Sequence, residues 1–467
     1  MITRVSNWMS IFGLWLVVSV GSARSSERLE KNLAQCGVHF EKQKEGGKWR
    51  YNISFSGKSV SNAALEAVRQ LSTSEMVVML DLGYSGISDA QIGLLSGLLD
   101  LEILVLYGTN VTDSGMSKIR SLPKLRKLFI GPTKIGADGL GFLVDAKNLE
   151  HFEIKSPATC DKLAALFFGK KKLKHLSLHG SKGISDAGIA SLRDLPELES
   201  LEFSETKITE AGLANLGQLN KLNELGLDGA DITGDGFGRF RGFFKLKSLS
   251  VGKTRLTKVG IDNISIAFPN LETLYLCDNL LNGNDLKSLE NMASIKTFFG
   301  MRTPMSDEVF GYLRNCPLET LCLSFSKVTG AGINKLKIPA SLCTLILEGC
   351  PVLDEHIKNL DRFQNLKYLK CSETKISEKS LVTFAKIKGL RSLYLGGTEV
   401  LSRGLIEFKG HPGLTNLEIE RIEPEHIELL QGIPHLRFLS VSKQRMSKSE
   451  MSMLQQKLPN ITVAWHF

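Results

Sequence analysis

Leucine residues return along this chain at a regular spacing, and that spacing limits the possible folds more than any other property. The pattern L-x-x-L-x-L starts sixteen times between Val77 and Leu436, with a mean period of about 24 residues. In each unit the L-x-L part predicts a short strand whose leucines point inward, while the residues between them face solvent. A unit of this length cannot bury its leucines alone, so neighbouring units must stack into one continuous core.

A small polar residue follows each strand at the ninth position of the unit, counted from its first leucine. Its side chain is predicted to bond backbone groups of the neighbouring coil and so to form a ladder between units. In seven units this residue is a threonine: Thr109, Thr133, Thr206, Thr254, Thr303, Thr374 and Thr398.

A serine or threonine followed by an acidic residue then marks the start of a predicted helix. Such residues are typical N-caps, and a carboxylate in the first turn suits the positive end of the helix dipole. Glycines recur two positions beyond the acid or its equivalent, where the missing side chain would let the helix pack close to the adjacent coil. The cap pairs are Ser88-Asp89, Thr112-Asp113, Ser185-Asp186 and Thr209-Glu210, and the glycines are Gly115, Gly188, Gly212, Gly236, Gly260 and Gly332.

The sequence of residues 198–213, LESLEFSETKITEAGL, resembles the leucine-rich repeats of the cysteine-containing type. Such repeats are known from F-box substrate adaptors and from many secreted bacterial proteins, and the resemblance covers roughly residues 53–465. It implies an α/β leucine-rich repeat solenoid: a right-handed horseshoe of about 16 repeats plus caps, with a parallel sheet on the concave face and helices on the convex face. The chain departs from the eukaryotic form because threonine stands where cysteine or asparagine is usual, and we find no F-box before the array.

The beginning of the chain has the pattern of a secretory signal peptide. Arg4 precedes an apolar run over residues 8–20, and the small residues Gly21 and Ala23 follow it, so residues 1–23 are predicted to be removed. An uncleaved anchor is the alternative. Cleavage predicts a secreted or periplasmic, cell-envelope protein without a stable membrane span, because no later stretch is apolar enough to cross a bilayer.

The flanks of the array are predicted to be caps. Residues 24–76 would form an N-terminal cap, in which Leu29, Leu33 and Cys36 indicate one amphipathic helix before a degenerate repeat. Alternating residues in the segment 49–55 indicate a strand after that helix. The array itself spans residues 77–460, and residues 461–467 are predicted to form a closing strand.

Charge and cysteine content favour no particular partner. The formal net charge is +9, but the basic residues are dispersed, so neither nucleic acid nor a membrane surface is predicted as a partner. All eight cysteines follow residue 23, and no C-x-x-C pair suggests a metal knuckle. Most of them are expected to be small buried hydrophobic residues rather than members of disulfides.

Candidate chemistry is sparse. His151 and His175 hold the same strand position in adjacent repeats, and Glu153 and His179 share their face, so a zinc site was considered. Side chains on a parallel ladder seldom converge, and the sequence therefore predicts no metal, no cofactor and no catalytic residue. A hydrolase or metal-dependent enzyme is the competing class.

The solvent-facing strand positions carry the candidate binding residues. Exposed aromatics on a rigid sheet are typical binding anchors, and they predict a non-enzymatic scaffold, expected to be monomeric, that binds a protein or peptide. One alternative is that the rings only pack against each other along the ladder, and another is a substrate-recognition adaptor for protein turnover, if residues 1–23 are not a signal. The predicted contacts are Tyr84, Tyr107, Phe129, Tyr275, Phe299, Met301, Phe325, Tyr368 and Tyr394, and an acidic band between the groups contains Glu153, Glu202, Glu205, Glu224 and Asp228.

Overall fold

The computed structural model describes residues 24–240 and 245–466. The predicted signal peptide, residues 1–23, lies outside the described residues. The chain divides after Ser156 into two compact units, called unit 1 and unit 2 here. Each unit is built mainly from successive coils that contain one short strand and one or two short helical segments.

Unit 1 begins with a helix and a hairpin before the repeats start. Its elements are α1 Arg24–Gln35, β1 His39–Glu45, β2 Lys48–Ser54, α2 Asn62–Ser74, β3 Met76–Asp81, a 3₁₀ helix Ile92–Leu95, β4 Ile103–Val105, α3 Asp113–Met116, β5 Lys127–Ile130, a 3₁₀ helix Asp138–Asp145 and β6 His151–Ile154.

In unit 1 the strands from β2 to β6 are parallel, and each pairs with the strand of the next coil. Strand β1 is antiparallel to β2, with His39 opposite Ser54. The predicted cap helix is confirmed as α1, and the strand predicted over residues 49–55 is confirmed as β2. Cys36 lies beyond the end of α1 and is exposed, contrary to its predicted place on the apolar face. Strand β1 was not predicted.

Unit 2 contains the larger part of the array. Its elements in the first half are α4 Asp161–Ala165, β7 His175–Ser177, α5 Asp186–Ala190, β8 Ser200–Glu202, α6 Glu210–Leu213, a 3₁₀ helix Ala214–Leu216, β9 Glu224–Gly226, a 3₁₀ helix Asp235–Arg239, β10 Ser248–Ser250, α7 Lys258–Ala267, β11 Thr273–Tyr275, a 3₁₀ helix Gly283–Asn291 and β12 Thr297–Phe299.

In the second half of unit 2, several coils contain two helical segments instead of one. Its elements are α8 Glu308–Tyr312, β13 Thr320–Cys322, 3₁₀ helices Ile333–Lys335 and Pro339–Ser341, β14 Thr344–Ile346, 3₁₀ helices Asp354–His356 and Leu360–Arg362, β15 Tyr368–Lys370, a 3₁₀ helix Glu378–Ser380, α9 Leu381–Phe384, β16 Ser392–Leu395, a 3₁₀ helix Ser402–Phe408, β17 Asn416–Ile419, a 3₁₀ helix Pro424–His426, α10 Ile427–Gln431, β18 Phe438–Ser442, α11 Lys448–Lys457 and β19 Thr462–His466.

The strands of unit 2 form a parallel ladder in which equivalent residues of successive repeats stand side by side. Leu249 pairs with Leu274, and Leu274 pairs with Phe298 one repeat further on. These inward side chains have no exposed surface. Complete burial of such a side chain contributes about 1.5–3 kcal/mol, so stacking of the coils supplies the core that a single repeat lacks. The predicted closing strand is present as β19, which pairs with β18.

The predicted N-caps are present, although the helices are short. Thr112, Ser185 and Thr209 each accept a hydrogen bond of 3.3 Å from the backbone N–H two residues ahead. Ser88 differs because its N–H donates to the Gln91 side chain, and the next helical segment starts only at Ile92. Most of the helical segments are one or two turns long, because a repeat of this length has few residues left after its strand and turns.

The acidic residue after each cap bonds the following coil rather than its own helix. One carboxylate oxygen of Asp186 accepts the N–H of Thr209 at 2.9 Å, and the other accepts the Thr209 hydroxyl at 2.6 Å. Asp89 bonds Thr112 in the same way, at 2.7 and 2.6 Å. These bonds join the N-cap of one helix to the acid of the previous one. The dipole explanation is therefore incomplete for these acids.

The recurrent glycines lie where the previous coil comes close, as predicted. A Cβ atom at Gly212 would overlap the carboxylate of Asp186, and one at Gly115 would overlap that of Asp89. A glycine at this position therefore leaves space for the same acid that bonds the N-cap.

The threonines at the ninth position do not form the predicted ladder in five of the seven units. The Thr206 hydroxyl donates to the carbonyl of Phe203 in its own coil at 2.7 Å, and Thr109, Thr254, Thr374 and Thr398 make the equivalent bond. Thr303 does cross to the previous coil, to the carbonyl of Leu276 at 2.9 Å, and Thr133 crosses to a different carbonyl of the previous coil, that of Val111, at 3.3 Å. Asn279 makes the predicted bond between coils, because its longer side chain lets the amide N–H donate to the carbonyl of Val251 in the previous coil at 2.8 Å.

Charged residues pair between coils at the second repeat position, just before the strands. In unit 2 the carboxylate of Glu272 lies 2.8 Å from the ammonium groups of both Lys247 and Lys296. In unit 1 Arg126 lies between the carboxylates of Glu102 and Glu150, at 3.3 and 2.9 Å. These pairs follow the 24-residue period and so add an electrostatic link from coil to coil.

Candidate ligand-binding face

The strand alternation places the predicted contacts on the side of the sheet opposite the leucine core. In β11 the central Leu274 is buried, while Thr273 and Tyr275 on either side are partly exposed. We call one set of side chains in unit 2 the aromatic face, and its members are Tyr275, Phe299, Met301, Phe325, Tyr368 and Tyr394.

In unit 1 the predicted contacts are more enclosed than expected. Phe129 is only 6% exposed, because its ring packs against Tyr107 at 6.2 Å and against His151 at 4.6 Å between centroids. The expectation that Phe129 faces solvent is therefore wrong. Burial raises the pKa of the Tyr107 hydroxyl, and the Glu153 carboxylate that accepts its hydrogen bond raises it further. Tyr84 is the most exposed of this group.

In unit 2 the rings of the aromatic face form two pairs between neighbouring coils. Tyr275 stacks on Phe299 with centroids 5.0 Å apart and ring planes 20° apart. Tyr368 and Tyr394 lie at the same distance with a 34° tilt. All four residues are partly exposed, so the ladder packing foreseen as an alternative exists but leaves part of each side chain accessible.

Phe325 enters the aromatic face from a left-handed turn. Its φ of 57° falls in the region that favours glycine. The neighbouring coil has Gly349 at the equivalent position, where a Cβ atom would overlap the Phe325 ring. Tyr84 and Gly108 repeat the arrangement in unit 1. A bulky ring followed by glycine one repeat later thus allows the ring to lie against the next coil, and this pairing of positions was missed in the sequence.

The predicted acidic band is largely engaged in local structure. Asp228 accepts hydrogen bonds of 2.6 Å from both the Ser250 hydroxyl and the Gly252 N–H. Glu202 accepts from the N–H of Ser204 at 2.8 Å, and Glu224 accepts from the hydroxyl of Ser200. These carboxylates stabilise turns and strand neighbours.

The candidate zinc ligands are divided between the two units. His151 and Glu153 belong to unit 1, whereas His175 and His179 belong to unit 2. Across residues 24–240 and 245–466, no group of three or more histidine, cysteine, aspartate or glutamate side chains is arranged to hold a metal ion.

A serine, a histidine and a glutamate meet on the helical side of unit 2. Nδ1 of His426 lies 2.9 Å from the Ser402 hydroxyl and 3.4 Å from the Glu423 carboxylate, which also accepts from that hydroxyl. A catalytic relay needs the hydroxyl and the acid on opposite ring nitrogens, and here both approach Nδ1. Ser402 also has no exposed surface. The cluster therefore stabilises the contact between two coils.

Two surface depressions of unit 2 lie away from the aromatic face. One is lined by Glu210, Ala211, Asp235, Gly236 and Arg239, and the other by residues of the segments 430–437 and 457–461. Both are open to solvent, and neither includes a residue of the aromatic face.

The cysteines are all free thiols. Cys316, Cys322, Cys350 and Cys371 are buried, as predicted. Burial raises the pKa of Cys316 to about 11, which keeps this thiol protonated near neutral pH. Cys277 and Cys343 are partly exposed, and Cys36 and Cys160 are exposed, so half of the eight cysteines are buried rather than most of them.

Within each unit the stacked coils have the α/β fold of leucine-rich repeats. No protein-family model matches this chain, and no curated protein matches its sequence. In the part of the chain that the structure describes, none of the helices has the length and apolar character that crossing a bilayer requires.

Several solved structures are similar in fold. An internalin of Listeria monocytogenes has 15% identity and a TM-score of 0.41, over 79% of this chain and 87% of its own. A leucine-rich repeat protein of Leptospira interrogans has 18% identity and a TM-score of 0.43, over 88% and 94%. The Arabidopsis receptor kinase HAESA, solved with the peptide hormone IDA and the co-receptor SERK1, has 15% identity and a TM-score of 0.44, over 87% and 76%. The likeness concerns the fold alone.

Proposed function

We propose that this chain is a non-enzymatic scaffold that binds a protein or peptide ligand through the aromatic face of unit 2. The observation that carries the proposal is the presence of two ring pairs, Tyr275 with Phe299 and Tyr368 with Tyr394, partly exposed on one parallel sheet. Rings held in this way offer a large contact area while few torsions have to be frozen on binding.

The dimensions of the face suit an extended peptide or a protein edge. The two ring pairs lie on strands β11 to β16, and at about 4.8 Å between neighbouring strands they span about 24 Å. Thr297, Thr320 and Thr344 follow the third repeat position between the pairs and are partly exposed. Their hydroxyls provide hydrogen-bonding groups beside the apolar rings, which is the combination a peptide ligand requires.

A peptide-display selection against the purified chain tests this function. The double variant Phe299→Ala, Tyr394→Ala removes one ring from each pair. It is expected to lower the affinity for the selected peptides at least about thirtyfold, since a hot-spot ring contributes about 2 kcal/mol or more to binding. The matched control is Val259→Ala, Ile266→Ala, because these apolar side chains are 55% and 77% exposed on helix α7. Equilibrium binding of the peptides to all three proteins gives the measurement.

The control variant should bind the peptides as the wild type does. If the double variant keeps its circular dichroism spectrum and also binds the same peptides equally well, the rings only support the sheet and the proposal is wrong.

We further propose that the protein acts outside the cytoplasm, in a secreted or cell-envelope location. Support comes from the arrangement of Arg4, the apolar run over residues 8–20 and the small residues before Arg24.

A further inference from the structure

A carboxylate lies next to the second ring pair of the aromatic face. Glu418 on β17 is the direct ladder partner of Tyr394 on β16, and the Tyr394 ring lies 5.0 Å from that of Tyr368. The Glu418 side chain extends back across its neighbours, where it accepts hydrogen bonds from the Ser372 hydroxyl at 3.0 Å and the Gly396 N–H at 3.3 Å. The carboxylate and the two rings therefore occupy adjoining places on the sheet.

A histidine converges on the same point. A Cβ atom at Gly396 would lie 2.8 Å from the Glu418 carboxylate and also 2.8 Å from Nε2 of His466. The other ring nitrogen of His466 lies 3.2 Å from the Ser440 hydroxyl. Nε2 itself is buried and has no hydrogen-bond partner among the described residues. Because Gly396 has no side chain, the Glu418 carboxylate and the His466 ring can both lie close to it, beside Tyr394.

Two basic side chains lie near Glu418, His466 beside Gly396 and Lys370 as the other ladder partner of Tyr394, but among the described residues neither forms an ion pair with it. Both hydrogen bonds to Glu418 come from neutral groups, and no lysine or arginine of the described residues forms an ion pair with it. Nearby carboxylates differ, because Glu348 lies 2.7 Å from Lys370 and Glu420 lies 3.5 Å from Arg445. Burial raises the pKa of Tyr368, and its neighbour Tyr394 and the Glu418 and Glu348 carboxylates raise it further, which keeps its hydroxyl neutral.

We propose that Tyr368, Tyr394 and Glu418 bind a guanidinium group, the side chain of an arginine in the ligand. A planar cation can stack on a tyrosine ring while its N–H groups donate to a carboxylate, and the electrostatic attraction of both contacts adds. Guanidinium suits such a site better than ammonium, because it is planar and more weakly hydrated. The inference rests on the proposed function only for the statement that the arginine belongs to a peptide or protein.

A small probe tests the site without the natural ligand. Nα-acetyl-arginine amide is titrated into the full chain labelled with ¹³C-tyrosine, and the ring resonances of Tyr368 and Tyr394 are followed by NMR after assignment with tyrosine-to-phenylalanine variants. We expect saturable shifts confined to these two rings. The citrulline analogue, which has a similar shape but no charge, and the lysine analogue serve as comparison probes, and both should bind more weakly.

Variants locate the effect. Glu418→Gln removes the charge of the side chain and keeps its shape. It is expected to lower the affinity for Nα-acetyl-arginine amide about tenfold. Glu407→Gln, at an exposed carboxylate in the 3₁₀ helix Ser402–Phe408, is the matched control and should bind as the wild type does. If Glu418→Gln does not fold, Tyr394→Leu replaces it, with the same expected loss.

The inference is overturned if arginine amide produces no saturable shift, if citrulline or lysine amide binds equally well, or if a folded Glu418→Gln variant retains full affinity. If that happens but removal of the Phe299 ring still weakens binding of the selected peptides, the proposed function is supported and only the guanidinium site is wrong. If arginine amide binds saturably but no peptide binds, the guanidinium site is supported and the proposed function is wrong.

Discussion

At the scale of single residues, the described coils depend on a few positions where the neighbouring coil limits the size of the side chain. Gly212 must lack a Cβ atom because the carboxylate of Asp186 occupies that space and bonds Thr209. Phe325 has the left-handed backbone that recurs at the eighth repeat position, and Gly349 makes room for its ring. These requirements come from the neighbouring coil and not from the local sequence.

Gly212→Ala should therefore destabilise the protein. In an ordinary helix alanine would gain about 1 kcal/mol over glycine, but overlap with Asp186 and loss of its bonds to Thr209 should outweigh that gain. We expect a net loss of about 2 kcal/mol in the free energy of unfolding. Urea denaturation measures it. Gly311→Ala is the control, because a Cβ atom there meets only the flexible Lys335 side chain at 3.7 Å. Equal stability of the two variants would contradict the explanation.

The burial of residues that follow the repeat period could be predicted from the sequence. The hydrogen-bond partners of side chains, which depend on distances between coils, could not. The burial of Leu198, Leu201 and Phe203 follows from spacing alone. Whether a threonine hydroxyl bonds its own coil, as Thr206 does, or the previous one, as Thr303 does, depends on a distance that the sequence does not contain. In the candidate site the aromatic types were visible, but the approach of Glu418 and His466 to Gly396 was not.

At the scale of elements, the strands follow the predicted register, whereas the helices are shorter than an isolated helix could be. A helix of four or five residues is unstable in water, since nucleation costs more than so few hydrogen bonds return. Here the caps and the acids of the previous coil hold it, as Asp161 does for the helix that begins after Ser185. Strand β1 escaped prediction because its sequence, HFEKQKE, lacks an apolar alternation.

The charged pairs beside the strands should make stability depend on pH. Hydrogen bonds from Lys247 and Lys296 lower the pKa of Glu272 from its ordinary value of 4.5 to about 2. A carboxyl group whose pKa falls on folding stabilises the protein above its unfolded pKa, and that stabilisation disappears as pH falls through the folded pKa. The difference in unfolding free energy between wild type and Glu272→Gln should be constant above pH 4.5 and shrink toward pH 2.

Urea denaturation at several pH values measures this difference, and added salt should reduce it because Glu272 is partly exposed. Glu290→Gln removes an exposed carboxylate in the neighbouring 3₁₀ helix Gly283–Asn291 and serves as the control. A constant difference between wild type and Glu272→Gln across the whole range would show that the lysine contacts do not persist in solution.

At the scale of the whole molecule, the 24-residue period accounts for the repeated coils of both units but not for a ligand. Leucines at fixed intervals specify that coils stack, and they leave the residues on the opposite side of the strands free to vary. The proposed function therefore rests on the choice of Tyr275, Phe299, Tyr368 and Tyr394 at those positions.

The proposed export concerns the whole chain and has a direct test. Helix α1 begins at Arg24, so cleavage between Ala23 and Arg24 would leave every described element intact. We expect the protein purified from the exporting cell's envelope or medium to have Arg24 as its first residue, measured by N-terminal sequencing. A full-length chain confined to the cytoplasm would contradict the proposed location and restore the adaptor alternative.

Strand β1 has a consequence for how molecules meet. It is antiparallel to β2 and to the strands that follow, and most of its side chains are exposed lysines and glutamates. A sheet edge made of parallel strands could be extended by another molecule of the same kind, as in a growing fibre. Here a second molecule would have to pair with an antiparallel, highly charged strand. Strand β1 therefore disfavours polymerisation at this edge of the sheet.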